Sequence, residues 1–135
     1  MNSVTSRKKS VTLIFRGFDM KAEDVVRLVG GAASCGNRGE PVKPGVSTLL
    51  SRSYARFSMD FTSDDELNDM LPALLALLGG GDRIRQLREQ VQPEFLEFHV
   101  DLPARTSEDS QEGYLDESVI ASLFQLKATI SFGFF

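Results

Sequence analysis

One histidine stands between two carboxylates in the run Phe95-Leu96-Glu97-Phe98-His99-Val100-Asp101. The two-residue spacing of Glu97, His99 and Asp101 puts all three on one face of an extended strand, because successive strand side chains point to opposite sides of their sheet. A strip of carboxylate, imidazole and carboxylate can hold a cation, move a proton or bind a charged partner. Arg56, Ser58, Asp60, Thr129 and Ser131 fall on the polar faces of other predicted strands and belong beside it. His99 is the only histidine of the chain, so no second imidazole supports a metal centre. The leading reading of the strip is a solvated sheet face crossed by ion pairs.

The second candidate is the stretch 36–45, where Gly36 and Gly39 permit tight turns around Arg38 and Glu40, with Lys43 beyond. A guanidinium there can grip a carboxylate or phosphate bidentately; paired to a carboxylate of the same chain, Arg38 is only structural, which is the leading reading. Neither glycine-rich phosphate-cradling spacing occurs, and no G-x-S-x-G elbow points to a nucleophilic serine. The single cysteine, Cys35, cannot close an internal disulfide and lacks the neighbours of a zinc site; we read it as an inert thiol. No residue is assigned as catalytic or as a metal ligand, and no cofactor is expected. The candidate ligand-binding set is Arg38, Glu40, Arg56, Glu97, His99 and Asp101. Phe95 and Phe135 break the alternation by pointing to the polar face, and exposed aromatics on an open sheet mark a contact surface.

These residues need elements to position them. Val11, Leu13 and Phe15 alternate with Thr12, Ile14 and Arg16 in a first strand, Ser10 to Arg16. A helix over 21–29 ends at Gly30-Gly31. Residues 32–44 lack periodicity and read as a long loop. Strands are predicted at Ser47 to Leu50 and at Tyr54 to Phe61, the latter with Ala55, Phe57, Met59 and Phe61 on one face. Ser63 and Glu66 have the spacing of a capping box, opening a leucine-rich helix to Leu78 that Pro72 should kink. A second helix, 82–90, starts under an Asp82 cap. Glu94 to Leu102 is the strand of the candidate strip, and residues 104–113 read as a mobile polar loop. Asp116 caps a helix to Gln125 with Val119, Ile120, Leu123 and Phe124 inward, and Ala128 to Phe134 alternates as a closing strand. Strands with one apolar and one polar face suit an antiparallel sheet covered on one side. We therefore expect one α+β domain over 1–135: a two-layer sandwich with a mainly antiparallel sheet, helices on one face, and residues 1–9 as a flexible N-terminal arm.

The chain's 135 residues are 41% hydrophobic, enough for one core without staples. The first 56 residues carry ten Lys and Arg against four Asp and Glu, the remainder five against fifteen; the fields of two halves packed together partly cancel. A net charge of −4 argues against a nucleic-acid binder, whose domain is normally basic. No apolar run reaches the roughly 18 residues of a membrane span, and no secretory pattern is visible, so a cytoplasmic protein with no membrane partner is expected.

The order of these elements resembles an uncharacterised bacterial family, the domain of unknown function four-two-seven-nine. The resemblance lies in the strand Val11 to Arg16, Arg27-Leu28-Val29-Gly30, Arg38-Gly39-Glu40, the leucine-rich helix Ser63 to Leu78, the strand Phe95 to Val100, and Leu115 to Phe134. Members often carry a Trp where this chain has Ser47-Thr48-Leu49, and Pro72 interrupts a helix expected to be continuous. The resemblance implies an α+β fold and a small bacterial cytoplasmic protein, and no activity.

The expected function is a non-enzymatic binding or protein-interaction domain, self-association included, that uses the open sheet face. The alternative is a small-ligand-binding or hydrolytic protein using the 36–45 loop with His99, and a small anionic ligand is its natural occupant.

Overall fold

The structure, a computed structural model, describes residues 9–31, 33–103 and 113–135. Along them run β1 (Lys9–Arg16), α1 (Ala22–Val29), β2 (Ser34–Gly36), β3 (Tyr54–Phe61), α2 (Leu67–Leu77), α3 (Gly81–Val91), β4 (Phe95–Leu102), α4 (Glu117–Gln125) and β5 (Thr129–Phe134). The strands form one sheet in the order β2-β3-β1-β4-β5. Three of its pairings are antiparallel, and β5 lies parallel to β4. A parallel neighbour needs a long crossover, which the segment containing α4 supplies. This is the α+β fold with a mainly antiparallel sheet that the strand patterns predict. Among the described residues no helix is long and apolar enough to cross a membrane.

Strand β1 is the hub. Val11, Leu13 and Phe15 are wholly buried, and Ile14 on the opposite face is only 5% exposed. Phe15 meets Phe57 of β3 edge to face at 6.0 Å, an arrangement the ring quadrupole favours. Val25 and Val29 of α1, Met70, Leu71 and Leu74 of α2, Ile84 and Leu87 of α3, and Val119 and Leu123 of α4 join these residues in one cluster.

Several local expectations change. The segment read as a patternless loop contains β2, which three residues are too few to announce by alternation; Cys35 pairs there with Ala55. At Ser47–Leu50 only a single bridge, Leu49 to Pro41, replaces the expected strand. Ser63 does not cap α2. The Asp65 carboxylate accepts from the Thr62 amide at 2.8 Å and from its hydroxyl at 3.2 Å, closing a turn that delays the helix to Leu67. Helix α2 then runs uninterrupted through Pro72, whose exposed ring faces away from the core. Asp82 lies inside α3, whose cap position is Gly80, and pairs with Arg85 at 3.0 Å. In α4 the apolar arc is wider than the stripe it buries, leaving Ile120 54% and Phe124 81% exposed. Of the proposed N-terminal arm, residues 1–8 lie outside the described residues. Lys9 opens β1 instead, donating to the carbonyls of Ser63 at 3.2 Å and Asp65 at 2.8 Å. The loop expected over 104–113 lies outside the described residues as far as 112.

Two side chains hold helix ends. The last carbonyls of a helix have no partner within it; Arg83 donates to Leu78 O at 2.7 Å, Val29 O at 2.8 Å and Leu28 O at 3.1 Å, joining the ends of α1 and α2 to the start of α3. A Cβ at Gly79 would collide with its stem, and the φ of +99° there already demands glycine. At α4 the expected Asp116 cap forms: its carboxylate accepts from Val119 N at 3.0 Å, and Asn68 bonds its carboxylate and its amide at 2.9 and 2.8 Å. The Val119 amide first, and Asn68 second, hold the Asp116 pKa below its ordinary value.

Replacing Arg83 by Met should cost about 1.5–3 kcal/mol, the range of a hydrogen bond to a charged group, read from the shift of the urea midpoint. For Asp116 the folded pKa lies below the unfolded one. Its contribution is therefore present above the carboxylate range and lost as pH falls through it. Asp116→Ala should be less stable than the parent at neutral pH, and urea titrations at falling pH should show the difference closing.

Candidate functional site

The polar face of the sheet is assembled by register to β1. Reading across the strands, Ser34, Arg56, Ile14, Glu97 and Thr129 form one row; Ser58, Thr12, His99 and Ser131 form the next; Asp60, Ser10, Asp101 and Gly133 form a third. Since all pairs share the two-residue period, these side chains stand on one face. Part of this face floors a shallow concavity of about 460 Å³ whose lining includes Arg16, Arg56, Glu97, His99 and Asp101, with Ile14 as its apolar floor.

Three of these lining side chains, Glu97, His99 and Asp101, join Ser131 in a continuous hydrogen-bonded chain. The Ser131 hydroxyl donates to Glu97 Oε2 at 2.5 Å and stands 2.7 Å from His99 Nδ1. His99 Nε2 lies 3.1 Å from Asp101 Oδ1. A hydroxyl has one proton to give. With that proton directed at Glu97, Ser131 Oγ and the Asp101 carboxylate flank the imidazole as its two oxygen partners. Beside this quartet Thr12 and Ser58 share a hydrogen bond of 2.8 Å, and Arg16 approaches Glu97 at 3.5 Å. Gly133 makes the arrangement sterically possible: a Cβ there would overlap Asp101 Oδ1 and come within 3.0 Å of His99 Nε2.

The same accounting limits the chemistry. Serine, histidine and aspartate in a chain have the composition of an acyl-transfer triad, but that chemistry needs the serine proton directed at the imidazole base. Here Glu97 takes it. Among the described residues no group of three His, Cys, Asp or Glu side chains is placed to hold a metal ion. The arrangement can instead present a fixed pattern of donors and acceptors. The cationic member facing it is Arg56, which is exposed and whose guanidinium lies 5.1 Å from the Tyr54 ring. It has no carboxylate partner among the described residues.

Arg56, Glu97, His99 and Asp101 of the candidate set are thus brought together, and Arg38 and Glu40 are not part of that lining. The loop that carries them does structural work. Asn37 Oδ1 accepts from Ala22 N at 2.8 Å and its Nδ2 donates to Glu23 at 2.9 Å, so Asn37 caps α1 from outside. Glu40 in turn accepts from Asn37 N at 2.6 Å. The expected ion pair of Arg38 is not formed among the described residues; its backbone amide bonds the buried Ser53 hydroxyl at 2.9 Å. Burial first, then the charges of Glu23 and Glu40, push the Cys35 thiol pKa up, which disfavours the reactive thiolate.

Phe95 stands 48% exposed at the Arg16 end of the face, with the Arg52 guanidinium 5.3 Å from its ring; Arg52 is itself paired to Glu94 at 2.7 Å. Phe135 follows β5, half-buried, its amide bonded to Leu102 O at 3.1 Å. Sequence reasoning placed Ser131 only beside the strip, and missed the requirement for Gly133. Alternation names faces but not neighbours, so only the parallel pairing of β4 with β5 reveals them.

Adding a methyl group in Gly133→Ala should break the His99–Asp101 contact. His99 is the only histidine, so its ring signals in a proton–nitrogen NMR spectrum are unambiguous. They should move or broaden in the variant while core amide signals keep their positions; an unchanged imidazole would contradict this geometry.

Comparison of the chain with family models, with curated proteins and with solved structures finds no match in any of the three.

Proposed function

We propose that this chain is a non-enzymatic binding domain whose recognition surface is the open face of its sheet. The observation that carries the reading is the braced polar quartet Glu97, Ser131, His99 and Asp101, three of which line a concavity with Arg56. Fixed donors and acceptors confer specificity because they are held before the partner arrives. The Arg56 guanidinium next to them, without a carboxylate partner among the described residues, offers a strong contact to an anionic group. Phe95 at the rim adds an aromatic of the kind enriched at interface centres. The occupant is a protein surface carrying a carboxylate, with a small anionic ligand as the alternative on the same Arg56. We propose further that this chain is a bacterial cytoplasmic protein, as the resemblance to the domain-of-unknown-function family four-two-seven-nine implies.

A hydrolytic role on the 36–45 loop has less support, since Asn37 is spent on capping α1, Glu40 holds the Asn37 amide, and Arg38 is not in the lining of the concavity that includes His99.

Native mass spectrometry of the tagged protein recovered from its source cells tests this proposal. The parent should carry a stoichiometric protein or small-molecule mass, and Arg56→Glu should lose it while keeping the parent's melting temperature. A fluorophosphonate probe, which labels activated serines, should leave Ser131 unmodified. Labelling of Ser131, or an adduct retained by Arg56→Glu, would overturn the reading.

A further inference from the structure

The two edges of the sheet are unequally protected. An edge strand exposes a row of unpaired amides and carbonyls, and proteins blunt such edges by shortness, charge, proline or cover. At one edge β2 is three residues long. At the other, β5 is six residues long, Thr-Ile-Ser-Phe-Gly-Phe, with no charge and no proline. Its outer side has no strand partner among the described residues.

Two of its own apolar side chains are also uncovered. Phe132 and Phe134 are 43% and 55% exposed, and their rings stack at 6.3 Å. With Ile120 and Phe124 of α4, they make up four of the nine large hydrophobics exposed among the described residues. These four sit on two consecutive elements. An edge strand at the margin of the core leaves Phe132 and Phe134 partly in water.

We propose that β5 is the interface of a two-fold dimer, in which the strands of two copies pair antiparallel and join both sheets into one. Hydrogen-bonding geometry requires the occupant of a bare edge to be an extended strand. The pattern of β5 selects a second copy of itself. Centred on Phe132, an antiparallel pairing sets Phe132 against Phe132, Ile130 against Phe134 and Ser131 against Gly133. Aromatic and aliphatic side chains then meet on one face, a favourable cross-strand combination, and small residues meet on the other. The strand carries no charge, so two acidic chains meet there without like charges opposed. An isologous contact of this kind closes at two subunits. The inference is independent of the open-face reading, since the outer edge and the Phe132 face carry it rather than Arg56 or the quartet.

Light scattering coupled to gel filtration should give the full-length chain twice the mass of one 14.9 kDa copy, and Phe132→Lys should return it to one copy with an unchanged circular dichroism spectrum. If the lysine variant does not fold, the double variant Cys35→Ser/Phe132→Cys decides. Cross-strand Cβ atoms about 4.5–5.5 Å apart should cross-link it under mild oxidation, while Cys35→Ser/Phe124→Cys should remain uncross-linked. A parent that is monomeric across micromolar concentrations overturns the proposal. So does a dimer that survives Phe132→Lys, or cross-linking that is equal in the two cysteine variants. Retention of the native mass adduct by Phe132→Lys separates this result from the fate of the open-face reading.

Discussion

Strand β1 is paired on both sides and wholly buried along one face, and the rest of the molecule takes its geometry from that. Val11, Leu13 and Phe15 have no exposure on one side, and Ile14 is almost as deeply buried on the other. Side chains alternate with a period of two, so slipping β3 or β4 by one residue against β1 would invert their faces. It would send Phe57 and Phe98 into water and bring Arg56 and His99 into the core. The apolar face therefore sets the register, and the register sets the polar rows. Thr12 stands between Ser58 and His99, and Ile14 between Arg56 and Glu97, because the opposite faces of the same strands must be dry.

This dependence explains what could be read from residues alone. The faces of β1, β3 and β4 were legible because alternation is a local property, and so was the company of Arg56, Glu97, His99 and Asp101. The neighbours were not. Nothing in the spacing of Ser131 says that β5 lies parallel to β4, which is what brings its hydroxyl to Glu97 and His99. Caps were legible where side chain and amide are close in sequence and unopposed, as at Asp116. They failed where a competitor sits nearby, as Asp65 does at the predicted Ser63 cap. The 36–45 loop looked available for a ligand because its polar groups had no visible employer. Asn37 bonds back to Ala22 and Glu23, a tertiary contact that no local pattern signals. Helix α4 shows the same gap from the apolar side, since an arc of Val119, Ile120, Leu123 and Phe124 does not reveal how wide a stripe its neighbours can cover.

Strand β5 separates the two surfaces of the molecule. Its Ser131 belongs to the polar quartet as a bonding partner, and its Gly133 leaves room for that quartet. Its Phe132 and Phe134 face the other way and remain in water. Six residues thus serve two environments with alternating side chains, so a change at Ser131 acts on the quartet and a change at Phe132 on the apolar face. The two are mechanically related nonetheless. Beyond the backbone ladder, the side-chain bonds holding this edge to β4 among the described residues are those of Ser131 to Glu97 and His99. An edge strand is the part of a sheet most prone to fray, and polar bonds on its buried side oppose that fraying without adding the charge that would block pairing on its outer side. The quartet is therefore suited to keeping the edge ordered while leaving its free hydrogen-bonding groups and its two phenylalanines available to a partner.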